Sequence, residues 1–160
     1  MTKFVLAILL GIASLGAAAD KIDDQIVNVS AEDRDMNLAI GRARRTLDKF
    51  LALYREPPEG AINFKLKVML SDDNGVEHFW FIPFKEIKGG FAGVLANDPS
   101  IVNSVTAGQV YAFKREQITD WGYELNGKQI GSFTVCVLFK TMPKEEVARY
   151  KQDHGFVCEN

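Results

Sequence analysis

Between Met36 and Tyr54, apolar residues return every three or four positions: Met36, Ile40, Ala43, Leu47, Leu51 and Tyr54. Arg42, Arg45, Asp48 and Lys49 fall mostly elsewhere, so the segment carries a single apolar stripe and is expected to be a long amphipathic helix. Ser30 followed by Asp33 has the spacing of an N-cap and an acidic first-turn residue, which places the expected start at Ser30. Glu56-Pro57-Pro58-Glu59-Gly60 ends it, because two prolines cannot continue the hydrogen-bond ladder.

From Ile62 the period changes to two. Ile62, Phe64, Leu66, Val68 and Leu70 alternate with Asn63, Lys65, Lys67 and Met69, the pattern of a half-buried strand. Ser71 to Gly75 turns the chain into a second strand, Val76 to Pro83, with Val76, His78, Trp80 and Ile82 on one face and Phe79 and Phe81 on the other. The two make a hairpin. Gly89-Gly90 marks a turn, Phe91 to Ala96 a short strand, and Asn97-Asp98-Pro99 a break.

Val110 to Arg115 reads as another strand, and Asp120 to Leu125 with Lys128 to Ile130 as a hairpin closed by Asn126-Gly127. Ser132 to Lys140 is apolar all round; Thr134, Val135 and Val137 favour a strand without excluding a buried helix. Thr141, Pro143, Glu145 and Glu146 open a last helix that ends near Gly155. Strands flanked by terminal helices, with no repeat and no linker, imply a single α+β domain. Its sheet is largely antiparallel, with a long N-terminal helix and a short C-terminal one.

The first residues stand apart from this pattern. Lys3, the apolar run Phe4 to Leu15 and the small residues Ala17, Ala18 and Ala19 form a signal peptide expected to be cleaved before Asp20, leaving residues 20–160 as the domain. The run is too short to span a membrane, which takes roughly 20 apolar residues, and no cysteine follows for a lipid anchor. The expected location is therefore periplasmic or secreted, with no stable membrane anchor after cleavage. The formal charge of −2 becomes −3 once Lys3 is removed, so nothing electrostatic points to nucleic acid. In an exported chain the two cysteines, Cys136 and Cys158, form one expected disulfide; two buried free thiols are the competing reading. Asn28-Val29-Ser30 is a glycosylation sequon by pattern.

Candidate chemistry is thin. His78 and His154 are the only histidines, and a zinc set drawn from them with Cys136 and Cys158 lacks paired local spacing. Gly131-Ser132-Phe133 lacks the second glycine of a nucleophile turn, and Gly89 to Gly93 lacks the lysine of a phosphate loop. Asp120 and Glu124, four residues apart on an extended strand, stand roughly 13 Å from each other, too far for paired glycosidase carboxylates. Asp72, Asp73, Asn74 and Glu77 lack calcium-loop spacing and read as a solvated hairpin tip. Trp80, Trp121 and Tyr123 could stack a ligand, but Trp121 and Tyr123 alternate with Asp120 and Glu124, which favours core packing. No metal and no cofactor is expected.

Six pieces occur in order: His78-Phe79-Trp80; Phe91-Ala92-Gly93; Gly108-Gln109-Val110; Ile118-Thr119-Asp120-Trp121-Gly122-Tyr123; Asn126-Gly127-Lys128; and Gly131-Ser132-Phe133-Thr134. In this the chain resembles the YegJ-type family of bacterial proteins, the domain of unknown function numbered 2314, over about Ser30 to Phe139. The resemblance brings no activity or catalytic residue with it, and some related domains are similar to proposed immunity proteins, which implies a protein partner. Where the family pattern tends to place a basic residue after Phe-Thr-x, this chain has Cys136. The expectation is a non-catalytic exported binding module with His78, Asp120, Trp121 and Tyr123 as binding residues; the alternative is a periplasmic enzyme of unassigned reaction.

Overall fold

The structure, a computed structural model, describes residues 33–158; the expected leader, its cleavage point, Asn28 and Ser30 lie outside them. Helix α1 runs Arg34–Arg55 and is capped by Asp33, whose carboxylate accepts the Met36 N–H at 2.8 Å. The helix thus begins three residues beyond the expected Ser30, because Asp33 fills the cap itself instead of following it. Strands β1 (Ala61–Asp72), β2 (Gly75–Ile87), β3 (Gly90–Leu95) and β4 (Val110–Phe113) follow. A 3₁₀ turn at Arg115–Gln117 then leads into β5 (Ile118–Leu125), β6 (Lys128–Gly131), α2 (Phe133–Leu138) and α3 (Lys144–His154).

The six strands form one sheet in the order β4-β3-β2-β1-β5-β6, every neighbouring pair antiparallel. The domain is α+β as its pattern implies, with the long hairpin β1–β2 at the centre. The Asp72↔Gly75 closure fixes the hairpin register, so that Lys67 faces Trp80 and Met69 faces His78. Phe84 to Ile87, which gives no clear sequence signal, continues β2.

α1 covers one face of this sheet. Ala43, Leu47, Phe50 and Leu51 meet Leu66, Val68, Phe79, Phe81, Trp121 and Tyr123 in the core. Phe50 is the hub, its ring 4.9 Å from Trp121, 5.7 Å from Phe64 and 6.1 Å from Phe84. Burying each such side chain stabilises the fold by about 1.5 to 3 kcal/mol relative to leaving it exposed. Ile62, assigned by alternation to the buried face, is instead exposed. Asn63 adopts a left-handed φ of 55° and the β1–β5 register slips between Ile62 and Lys65, which turns Ile62 out.

Ser132 to Lys140 holds α2, so the strand favoured by its β-branched residues does not form. Gly131 (φ 82°) and Ser132 (φ 53°) both turn left-handed and end β6, and a Cβ on Gly131 would strike the Trp121 ring. The next N–H groups then find acceptors on Asp120 rather than on a strand neighbour. α3 begins directly after Pro143 and ends on Gly155 in the left-handed conformation.

Candidate functional site

The face of the sheet opposite α1 is polar and basic at its centre. Lys65, Lys67 and Met69 project there from β1, alternating with the core residues Leu66 and Val68; Trp80 and His78 project from β2, alternating with Phe79 and Phe81. Both ammonium groups sit over the Trp80 indole, Lys65 Nζ 4.8 Å and Lys67 Nζ 5.3 Å from the ring. Trp80 is only 7% exposed, whereas Met69 is 37% and Val76 51% exposed on the same face.

His78 is an exposed residue whose Nδ1 nonetheless turns inward, 2.9 Å from Thr119 Oγ1. Burial of that edge, then the positive charges of Lys67 and Arg44, bring its pKa down to about 4. The imidazole is therefore neutral at physiological pH.

Asp120 has no exposed surface at all. Its Oδ1 accepts from the Trp121 N–H at 2.8 Å and the Phe133 N–H at 3.2 Å, and its Oδ2 accepts from the Thr134 N–H and hydroxyl, each at 2.7 Å. Burial raises its pKa, opposed by the Thr134 hydroxyl and N–H, by the charge of Lys67 and by the Trp121 N–H. This carboxylate holds α2 to β5 and presents nothing to a partner.

Trp121 and Tyr123 lie on the other face, in the core, and the Trp121 Nε1 donates to Ala43 O at 3.0 Å. Of the four residues singled out from the sequence, the structure brings together His78 and Asp120, through Thr119 and Lys67, and separates them from Trp121 and Tyr123. Lys65 and Lys67 are the residues that reading passed over. Their alternation with Phe64, Leu66 and Val68, combined with the two-residue turn at Asp73-Asn74, was the signal that could have placed them beside Trp80.

Ser132 stands between a strand and a helix in a left-handed conformation, as an activated nucleophile would, and its buried Oγ has no hydrogen-bond partner. Its exposure is 0%, so no substrate reaches it. Cys136 and Cys158 are bonded, with Cα atoms 5.6 Å apart, which removes both sulfurs from any zinc set. His154 packs between Tyr150 and Phe156.

The acidic hairpin tip has a structural task. Glu77 accepts the N–H groups of Ser100, Ile101 and Val102 at 3.0–3.1 Å, and Asp72 Oδ2 accepts those of Asn103 at 2.7 Å and Ser104 at 3.0 Å. The two carboxylates stitch the segment after β3 onto the central hairpin, and Val102 completes the core beneath it.

An α+β domain with a one-sided helical cover and an aromatic-basic open face is the class these features define. The model of a family described as "Uncharacterized protein conserved in bacteria" (DUF2314) matches residues 33–157, and the chain belongs to that family. It is 35% identical over 130 residues to "Uncharacterized protein YegJ" of Escherichia coli K12, covering 81% of this chain and 84% of that protein. It is also 29% identical over 132 residues to "Putative ankyrin repeat protein NMB1133/NMB1171" of Neisseria meningitidis serogroup B, covering 78% of this chain and 52% of that one. No solved structure matches it significantly.

Proposed function

We propose that this protein is an exported, non-catalytic module that binds another protein through the open face of its sheet. One observation carries the reading: the face opposite α1 combines an indole flanked by two ammonium groups with the exposed side chains of Met69 and Val76. Aromatic residues beside apolar and cationic ones are the composition that binding patches favour. Export is supported by the leader-like residues 1–19 and by the Cys136–Cys158 bond, which persists in oxidising compartments. Cleavage before Asp20 is the corresponding proposal for the mature N-terminus.

The test places a photo-crosslinking amino acid at position 69 or 76, and as a control at the exposed Leu38 of α1, in cells of the native host. Both sheet-face positions are expected to join the same protein while position 38 does not. Equal labelling from all three positions, or none from 69 and 76, overturns the reading. Intact mass of the envelope-extracted chain checks the leader; retention of residues 1–19 would replace export with anchoring.

A further inference from the structure

The chain from Lys144 to Cys158 lies against the sheet without entering its core. α3 carries no buried residue, and among the described residues the buried cluster runs from Ala43 to Tyr123. The segment meets the sheet at β6, where the Gln129 N–H donates to Gly155 O at 2.9 Å and a parallel bridge pairs Gln129 with Phe156. Its far end is tied to α2 by the Cys136–Cys158 bond. We propose that residues 144–158 are a redox-operated strap. The disulfide holds them along the outer edge of β6, and its reduction lets them lift away while the rest of the domain stays folded. This device does not depend on what the open face binds.

Two observations set the direction of the switch. β6 has a single strand neighbour, β5, so the strap lies where a further strand would pair, and lifting it bares a sheet edge. Gln129, the residue it bridges, is 9% exposed, and its Oε1 accepts from no group of the protein. A buried acceptor without a donor weighs against the closed form, and water reaches that oxygen once the strap lifts. The bond opposes this release by confining a span of 22 residues, which keeps Cys158 beside Cys136. Both cysteines are half-buried. The reductant is a dithiol: one of its thiolates attacks the disulfide and its second resolves the mixed disulfide. Two electrons and two protons pass to Cys136 and Cys158, the bond between them breaks, and the dithiol becomes a disulfide. Once freed, an eleven-residue helix with no buried side chain has little stability of its own.

The experiment follows amide hydrogen exchange of the whole protein, oxidised and then reduced with dithiothreitol. Exchange at Gln129 and along α3 is expected to accelerate by at least about tenfold on reduction, while Phe79 and Phe81 of the central hairpin keep their protection. Reoxidation is expected to restore the slow rates. Cys136→Ser/Cys158→Ser is expected to exchange fast at Gln129 and α3 with or without dithiothreitol. Gln129→Leu removes the orphan acceptor, so its α3 amides are expected to accelerate less on reduction than those of the wild type. Unchanged exchange at Gln129 and α3 in the reduced protein would mean that the segment stays in place without the bond. Acceleration at Phe79 and Phe81 equal to that at Gln129 would mean that the bond holds the whole domain rather than a strap. Either result, or a reduced Gln129→Leu protein that opens as far as the reduced wild type, overturns the proposal.

Discussion

Asp120 of β5 and Thr134 of α2 are joined twice, by backbone N–H and by hydroxyl, each 2.7 Å from the same carboxylate oxygen. A helix of six residues has little stability of its own, so this buried contact decides that the segment turns into α2 instead of pairing as a strand. Asp120→Asn keeps the size but replaces an acceptor by an NH₂ facing donors. It should destabilise the fold by about 1 to 3 kcal/mol in urea denaturation, with Thr134→Val costing about 1 kcal/mol. Neutral behaviour of both variants would show that α2 is held by something else. Because the folded pKa of Asp120 is raised, its own titration strengthens the fold as pH falls through that value toward the ordinary 3.8.

His78 titrates with the opposite consequence. A base whose pKa is lowered on folding, here from 6.5 to about 4, binds fewer protons in the native state than in the unfolded chain. Its contribution is fully present above pH 6.5 and is lost as pH falls toward about 4. NMR should show the His78 ring neutral at pH 5.5. The urea midpoint of the wild type should drop more than that of His78→Gln across the same window. A ring already protonated at pH 5.5 would mean that the Nδ1 edge is not shielded as the Thr119 contact implies.

Glu77→Gln should loosen one segment and spare the rest. Its carboxylate serves three consecutive N–H groups, and an amide side chain can accept with only one of its two polar ends. Hydrogen exchange at Ser100, Ile101 and Val102 should accelerate by at least about tenfold, with a stability loss of about 1 to 3 kcal/mol. Unchanged protection at these amides would remove Glu77 from its role as a clamp.

How much of this was legible in the sequence depends on the range of the interaction. The α1 stripe, the alternation of β1 and β2, the Asn126-Gly127 turn and the Pro143 helix start are local patterns, and the structure contains all four, except that Ile62 is turned out of the β1 alternation. α2 was not legible, because its cap comes from Asp120, a neighbour thirteen and fourteen residues earlier that no local propensity encodes. The same holds for Glu77 and Asp72, which look like a solvated tip until the segment after β3 folds back on them. Lys65 and Lys67 read as ordinary solvent-face residues of an alternating strand, and only the hairpin register sets Lys67 directly across from Trp80 with Lys65 beside it.

Trp121 gives the sharpest separation between holding the fold and binding a partner. Its ring stacks on Phe50 at 4.9 Å, meets Phe133 edge-on at 5.2 Å, and donates its indole N–H to the Ala43 carbonyl. It therefore bridges β5, α1 and α2 from the core side, away from Lys65 and Lys67. Trp121→Ala should cost about 3 to 5 kcal/mol, as large aromatic truncations in cores do. Trp121→Phe should cost less, because the ring stack survives while the Ala43 carbonyl loses its donor. At a temperature where both variants are still folded, crosslinking of Trp121→Phe from positions 69 and 76 should match the wild type, whereas that of Lys65→Gln/Lys67→Gln should fall. If Trp121→Phe instead lost the partner while remaining folded, the binding surface would lie on the α1 side and the open-face assignment would fall.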